Sequence, residues 1–245
     1  MKRKISIFAP VLNEEENIIF FYESVINELK NININEFEII FTDNNSSDKT
    51  EIIITKICNI DKRVKYIKFK RNIGYDLSLF LGMFHCTGDY AISMHSDLQD
   101  PVKYIKELIA KCEKDKDLVF AKVFRDYEAY YLKNMRLFFY IFLKLFCLGR
   151  KIPPIYGIDF RIINKILINK LKHNKIVPNY RLATFFFSNK SDYIVYQREN
   201  RHRGVSKFKF FNCFKYAISL YVSLIFNKKI YIKNYLDLIE YKLNF

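Results

Sequence analysis

The chain has 245 residues, half of them hydrophobic and 17% aromatic, which suffices for one large domain and excludes a disordered chain. Its formal net charge of +15 predicts an anionic partner: a nucleic acid, an anionic membrane surface or a phosphorylated substrate. The alternative explanation is a general bias of the proteome towards lysine. The five cysteines are widely spaced without a CxxC pair, which argues against a zinc site or disulfides and favours a reducing cytoplasm. The N-terminal apolar run is too short to predict a signal peptide.

The first half of the chain alternates predicted strands and helices. Apolar, β-branched runs predict strands at 5–9, 37–42, 64–69, 89–94 and 118–123. Helices are predicted between them at about 13–30, 46–58, 76–86 and 101–114. Asn13 and Glu16 fit a capping box for the first helix, and 46–48 can cap the second. The alternation predicts an α/β fold with a mainly parallel, Rossmann-like sheet flanked by helices.

The second half is less regular. We predict a long helix at 130–148, a strand at 157–163, a helix at 164–173 and a strand at 193–196. The apolar stretch 208–226 contains lysines and falls short of the ~20 apolar residues that a spanning helix needs. It is typical of an amphipathic helix that lies on a membrane surface or packs on the domain. We therefore predict a main domain over 1–207 and a C-terminal amphipathic helical tail over 208–245.

Four polar clusters fall at the ends of predicted strands or in the loops after them. These clusters are 10–14, 42–48, 95–100 and 159–161. Because loops after parallel strands meet at one edge of a sheet, we expect the first three to line one pocket. Asp43 can accept hydrogen bonds from a nucleic base, and Asp97 and Gln99 can ligate a hard cation that bridges a diphosphate.

The order of the motifs resembles that of family 2 glycosyltransferases of GT-A fold, the nucleotide-diphospho-sugar transferase fold. The nearest branch contains dolichyl-phosphate mannosyltransferases and bacterial polyprenyl-phosphate glycosyltransferases. The motifs span about residues 4–210 and comprise 10–14, 43–48, 71–74, 88–89, 97–101, 159–161 and 201–207. Each motif is weak alone, but together and in order they are specific.

The resemblance implies an inverting transfer of a sugar from a UDP- or GDP-linked donor, assisted by Mn2+ or Mg2+. The residues implied in nucleotide binding are Pro10, Asn13, Glu14, Asp43, Arg71 and Gly74. Those implied in metal binding are Asp97 and Gln99, with His95 as a third candidate. The catalytic candidates near the acceptor are Asp159 and Arg161. The candidates for binding the acceptor phosphate are Arg201 and Lys207, with Arg136 as a helper.

His95 departs from the family pattern, which usually has Asp-x-Asp-Leu-Gln. Three interpretations stay open: His95 is a ligand in an altered site, it lies beside a metal held by Asp97, Gln99 and the diphosphate, or catalysis is impaired. An imidazole ligand would favour Mn2+ over Mg2+. Relatives also often carry two spanning helices, whereas only 208–226 is available here. We therefore expect a cytoplasmic protein held peripherally at the inner face of the cell membrane by this segment and its basic surface.

The chemistry of the acceptor favours a lipid phosphate, because a phosphate monoester is already anionic near pH 7 and needs no general base. Asp159 would then orient Arg161, whereas with a saccharide hydroxyl acceptor, as in capsule or lipopolysaccharide synthesis, it could act as the base. A catalytically impaired nucleotide-sugar binder is a further alternative. A nucleic-acid-binding module is disfavoured, because no recognised motif accompanies the aromatic and basic residues at 207–211. The sugar and the base of the donor stay open.

Overall fold

The computed structural model describes residues 3–124, 137, 141, 159–173, 180–199 and 236–245. Its strands are β1 (Ile5–Val11), β2 (Phe37–Asp43), β3 (Val64–Phe69), β4 (Tyr90–Ser93), β5 (Leu118–Phe124), β6 (Arg161–Asn164), β7 (Ser191–Gln197) and β8 (Ile239–Leu243). Its helices are α1 (Ile18–Asn31), α2 (Thr50–Ile60), α3 (Tyr75–His85), α4 (Ile105–Cys112), α5 (Lys165–His173) and α6 (Tyr180–Phe187). A 3-10 turn, Val102–Tyr104, leads into α4.

The described strands form one mixed sheet in the order β7-β5-β6-β4-β1-β2-β3-β8. The strands β3, β2, β1 and β4 are mutually parallel, and β5 is parallel to β7. By contrast, β6 runs antiparallel to both β4 and β5, and β8 runs antiparallel to β3. The α/β class is confirmed, and its parallel part is the block that carries the predicted strand-end loops.

Helices cover both faces of the parallel block. Every residue of β1 and β2 is buried, as expected for strands that lie between two layers of helices. One apolar cluster contains the inner faces of α1, α2 and α4. The other contains those of α3, α5 and α6. With both faces covered, ligands have access mainly at the edge where the parallel strands end.

The first helix begins later than the capping box predicted. Its first residue is Ile18, and Asn13 instead adopts a left-handed backbone conformation with φ of 50°. The Asn13 side chain accepts a hydrogen bond from the Ser47 N–H at 2.7 Å. A bond to a residue 34 positions away has therefore replaced the local cap. In the second helix, Asp48 does accept from the Thr50 N–H at 3.0 Å, within the predicted capping segment.

The end of the chain differs from the predicted helical tail. Residues 239–243 form β8 at the edge of the main sheet, with alternating apolar and charged side chains in Ile-Glu-Tyr-Lys-Leu. This period of two suits a strand that packs one face on its neighbours. Tyr241 donates its hydroxyl to Glu51 at 2.5 Å and packs on the Tyr66 ring. The prediction of a helix is thus wrong for these residues, while 208–235 lies outside the described part of the chain.

Cys58 and Cys86 are buried free thiols, whereas Cys147 lies outside the described residues. The predicted helix at 130–148 also lies outside them, apart from positions 137 and 141. Within the part of the chain that the structure describes, no helix combines the length and the apolar character needed to cross a membrane.

Candidate active site

The loops that follow β1 and β2 are joined into one wall at the carboxyl edge of the sheet. The Asn13 N–H donates to Ser46 Oγ at 2.9 Å, and the Glu14 N–H donates to Thr50 Oγ1 at 2.7 Å. Pro10 is buried in β1 opposite Thr42. Because β4 lies beside β1 and parallel to it, the loop after β4 begins at the same edge of the sheet. The structure therefore brings together the three clusters that the sequence placed in one pocket.

Asp43 lies at the end of β2 and is fully buried. Its Oδ1 accepts hydrogen bonds from the Ser46 N–H at 2.8 Å and from Ser46 Oγ at 2.6 Å. Its Oδ2 accepts from the Tyr66 hydroxyl at 2.5 Å. Burial raises the pKa of the Asp43 carboxyl, and the bonds from Ser46 and Tyr66 only partly offset that effect. The carboxylate is therefore held in one orientation, and any bond to a base would use its remaining lone pairs.

The start of α3 forms the next part of the candidate site. Gly74 precedes the helix with φ of 87°, a conformation that glycine adopts at little cost. Asn72 Oδ1 accepts from the Gly74 N–H at 2.9 Å, and Asn44 Oδ1 accepts from the Ile73 N–H at 3.3 Å. Arg71, just before this turn, is exposed. The candidates Arg71 and Gly74 thus sit on a loop that is anchored to the end of β2.

The candidate metal loop follows β4. Asp97 is 8% exposed, and its Oδ1 accepts from the Gln99 N–H at 3.2 Å across Leu98, whose φ is 59°. Among the described residues, no group of three His, Cys, Asp or Glu side chains is arranged to hold a metal ion. A hard cation bound through one or two protein oxygens completes its shell with substrate phosphates and water. Asp97 and Gln99 fit that kind of shared site and not a cage built from protein alone.

His95 uses both ring nitrogens within the protein. Nδ1 lies 2.6 Å from Asp100 Oδ2, and Nε2 lies 2.9 Å from the Tyr75 hydroxyl and 3.9 Å from Asp159 Oδ2. The Tyr75 and His95 rings are stacked with centroids 5.4 Å apart. Burial alone would lower the pKa of His95, but the charge of Asp100 and its hydrogen bond outweigh burial and raise it. His95 is thus held in place by three side chains.

Asp159 is held by an arginine that the sequence did not single out. Arg181, on α6, lies 2.9 Å from Asp159 Oδ1 and 3.0 Å from Asp76 Oδ1, and so bridges α3 and the start of β6. Burial raises the pKa of Asp159, but the charges of Arg181, His95 and Arg161 outweigh it and lower the pKa overall. Asp159 is therefore held as an ionised carboxylate beside His95.

The other catalytic candidate, Arg161, is 1% exposed and points into the domain. Its Nη1 donates to Thr184 Oγ1 and to the Arg181 carbonyl, and its guanidinium lies 5.2 Å from the centre of the Tyr180 ring. Its Nε and Nη2 have no hydrogen-bond partner among the described residues. Burial lowers the pKa of this guanidinium. The structure thus places Arg161 beneath Asp159, adjoining α6.

The remaining predicted residues, Arg136, Arg201 and Lys207, lie outside the described part of the chain. Sequence reasoning missed the residues that hold the site together: Tyr75, Arg181, Tyr196 and Arg198. None belongs to a motif used in the prediction. Tyr75 directly precedes the predicted helix at 76–86 and Tyr196 ends the predicted strand at 193–196, but neither position reveals its partner.

Solved structures of similar fold define the class of protein first. Glucosyl-3-phosphoglycerate synthase from Mycobacterium tuberculosis, in complex with Mn2+, UDP and glucosyl-3-phosphoglycerate, matches with a TM-score of 0.61 at 17% identity, over 91% of this chain and 80% of that one. The mannosyltransferase PcManGT from Pyrobaculum calidifontis, in complex with GDP-Man and Mn2+, matches with a TM-score of 0.56 at 13% identity, over 82% and 59%. Such identities show the fold alone, which is the GT-A fold of glycosyltransferases.

Sequence similarity then gives the family. The model described as glycosyl transferase family 2 matches residues 6–187. The bactoprenol glucosyl transferase of Shigella phage SfX is 34% identical over 209 residues, which are 84% of this chain and 67% of that protein. The prophage bactoprenol glucosyl transferase homolog of Escherichia coli K12 matches to the same extent. The chain therefore belongs to glycosyltransferase family 2, as the motifs predicted, and it spans about two thirds of the length of these relatives.

Proposed function

We propose that the chain transfers a hexose from a nucleoside-diphosphate sugar to a polyprenyl phosphate, with inversion at the anomeric carbon. The observation that carries the proposal is the meeting of the β1, β2 and β4 loops with Asp159 at one edge of the sheet. The names of the relatives, bactoprenol glucosyl transferases, support the lipid-phosphate acceptor. Membership of a glycosyltransferase family favours this reaction over the nucleic-acid-binding alternative.

The donor nucleotide would lie against the wall formed by the loops after β1 and β2. Asp43 would accept from an N–H of the base, with Pro10, Asn13 and Glu14 beside the nucleoside. Arg71 and Gly74, at the start of α3, would close the other side. The hydrogen bonds that fix Asn13 and Asp43 support this role, since groups fixed in advance lose little entropy on binding.

A divalent cation, Mn2+ or Mg2+, would bind Asp97 and Gln99 and neutralise the charge of the diphosphate as it leaves. The protein's own part is to hold Asp97 buried and to fix the backbone of Gln99. His95 would lie beside the cation and not ligate it, because Tyr75 and Asp100 already face its two ring nitrogens.

An oxygen of the acceptor phosphate would attack the anomeric carbon from the face opposite the diphosphate, and the nucleoside diphosphate would depart with the bonding electrons. The phosphate is anionic near pH 7, so it needs positioning and charge screening more than a base. Arg201 and Lys207, with Arg136, would bind that phosphate, and Asp159 and Arg161 would shape the site. The segment 208–226 and the net charge of +15 support binding to an anionic membrane surface from the cytoplasmic side.

A saccharide hydroxyl is the second candidate acceptor, and the state of Asp159 is the observation that favours it. A hydroxyl needs a general base, and the lowered pKa of Asp159 keeps this carboxylate ionised beside His95.

The test incubates the protein with UDP-glucose or GDP-mannose, Mn2+ or Mg2+, and undecaprenyl phosphate in detergent, and follows the labelled sugar into lipid. A thermal-shift screen of UDP, GDP, CDP and dTDP identifies the base. Asp97→Asn should abolish transfer, whereas Asp115→Asn, on an exposed loop, should not. Label that enters a glycan and never the lipid would favour the hydroxyl acceptor. Nucleotide binding without turnover would support a catalytically impaired protein.

A further inference from the structure

Asp100 is a buried carboxylate on which two parts of the candidate site converge. It is 1% exposed and directly follows the candidate metal loop. Its Oδ2 faces the His95 ring at 2.6 Å and the His95 N–H at 3.4 Å. Its Oδ1 accepts from the Tyr196 hydroxyl at 2.6 Å and lies 3.7 Å from Arg198 Nε. One oxygen thus binds the donor side of the site, and the other binds the end of β7.

A second bond joins the same two segments. The Glu199 N–H donates to the carbonyl of Gln99 at 3.1 Å, so the candidate metal loop and the end of β7 are connected through backbone as well as side chain. The Tyr196 ring packs edgewise on Tyr104 and on Phe160, which adjoins Asp159. The chain reaches Arg201 two residues after Glu199.

We propose that Asp100 is a positioning residue that couples the candidate metal loop to the segment leading into the acceptor-phosphate motif. The inference rests on the proposed function, because it requires that the metal loop binds the donor and that the motif at 201–207 binds the acceptor. Asp100 would act through His95 and Tyr196 and would not touch the reacting atoms. Its buried charge also needs these partners, because an unpaired buried carboxylate is unfavourable.

The test uses two conservative variants and a matched control. Tyr196→Phe removes one hydroxyl and keeps the ring packing. Asp100→Asn keeps the shape and places an amide where a carboxylate oxygen was. Tyr22→Phe is the control, because it also removes a hydrogen bond from a tyrosine hydroxyl to an aspartate. Tyr22 lies on α1 and donates at 3.0 Å to Asp61, which follows α2.

The first measurement is the affinity for UDP with Mn2+ by calorimetry. Tyr196 lies outside the nucleotide wall. We expect Tyr196→Phe to weaken binding by about tenfold, which equals ~1.4 kcal/mol and is close to the lower end of what one hydrogen bond to a charged group contributes. In the Asp100→Asn background, Tyr196→Phe should change the affinity no further. A merely structural role would lower the melting temperature of the variants without this dependence on Asp100. Additive effects, or none, would overturn the proposal.

The second measurement needs neither nucleotide nor acceptor. The His95 and Glu199 amides donate to Asp100 and Gln99, so their hydrogen exchange reports the coupling directly. Both Tyr196→Phe and Asp100→Asn should accelerate exchange at residues 95–100 and 196–199, whereas Tyr22→Phe should not. Unchanged exchange would refute the coupling even if the wild-type protein is an active transferase. Accelerated exchange in a protein that transfers no sugar to lipid would support the coupling and count against the proposed acceptor.

Discussion

Replacement of His95 by glutamine tests whether this residue ligates the cation, which is the main question raised by the departure from the family pattern. Nδ1 lies 2.6 Å from Asp100, and the Tyr75 hydroxyl lies 2.9 Å from Nε2, where an ion would have to bind. We therefore expect His95→Gln to leave the apparent affinity for Mn2+ within about threefold of wild type, well short of the ~10–100-fold that even the loss of a ligand's supporting group costs.

The same change should nevertheless reduce stability. It removes a hydrogen bond to a carboxylate that is 1% exposed, although Tyr196 and Arg198 still face that carboxylate. A hydrogen bond to a charged group contributes about 2 kcal/mol. For a protein of 245 residues this corresponds to a melting temperature lower by about 4–8 °C.

The assay follows UDP binding as a function of Mn2+ and of Mg2+, with thermal unfolding measured on the same samples. His85→Gln is the matched control, because His85 is a second partly buried histidine whose pKa is lowered by burial to about 4. Within the described part of the chain, its Nε2 has no hydrogen-bond partner. Tyr75→Phe removes the hydroxyl that faces Nε2 of His95.

A selective loss of Mn2+ affinity by more than tenfold in His95→Gln would refute this reasoning. So would a gain of Mn2+ affinity in Tyr75→Phe, because that result would mean that His95 is a ligand restrained by the hydroxyl. Equal responses to Mn2+ and Mg2+ in the wild type and in His95→Gln would instead contradict the preference for Mn2+ that an imidazole ligand predicts.

Three further predictions concern the carboxylates. Burial raises the pKa of Glu38, but bonds from Ser6 and Thr87 and the Lys65 ammonium outweigh it and lower the pKa from 4.5 to about 2, which corresponds to ~3 kcal/mol of stability. That stability is complete above pH ~4.5 and is lost as the pH falls towards 2. Glu38→Gln should therefore flatten the acid side of a plot of melting temperature against pH. An unchanged acid side would rule out this contribution of Glu38. Tyr66→Phe should raise the pKa of Asp43 further. As the pH is lowered, the variant should therefore lose affinity for UDP at a higher pH than the wild type does. Superimposable pH profiles would contradict a role of the Asp43 carboxylate in nucleotide binding. Arg181→Ala should lower the free energy of unfolding in urea by about 3 kcal/mol, because it removes the guanidinium that lies 2.9 Å from Asp159; a loss as small as that of a surface pair would show that the bridge is unimportant.

Several features followed directly from local sequence. Runs of β-branched and aromatic residues located β1 to β5 to within one or two residues, because alternation and turn residues are encoded within each segment. The polar clusters at the ends of β1, β2 and β4 were assigned to one edge, because parallel strands necessarily end on the same side of a sheet.

Asn13 shows where local reasoning fails. Its sequence context favours a helix cap that is typically worth ~1 kcal/mol. In the structure its N–H and its Oδ1 bond Ser46 and Ser47 instead, and such long-range bonds together outweigh one local cap. The β8 strand was missed for a related reason, since a five-residue alternation specifies a strand only where a sheet edge such as β3 is available.

The sequence by itself therefore determined the fold class and the family, and it predicted the residues that would bind a nucleotide and a cation, since these depend on patterns within short segments. Only the tertiary structure decided how those residues are held. Arg181 meets Asp76 across 105 positions, and Tyr196 meets Asp100 across 96. Such pairs arise from the order of strands in the sheet and from the packing of α3 and α6, which no local pattern encodes. Their hydrogen bonds and ion pairs stabilise the protein only after the chain has closed the long loops between the partners.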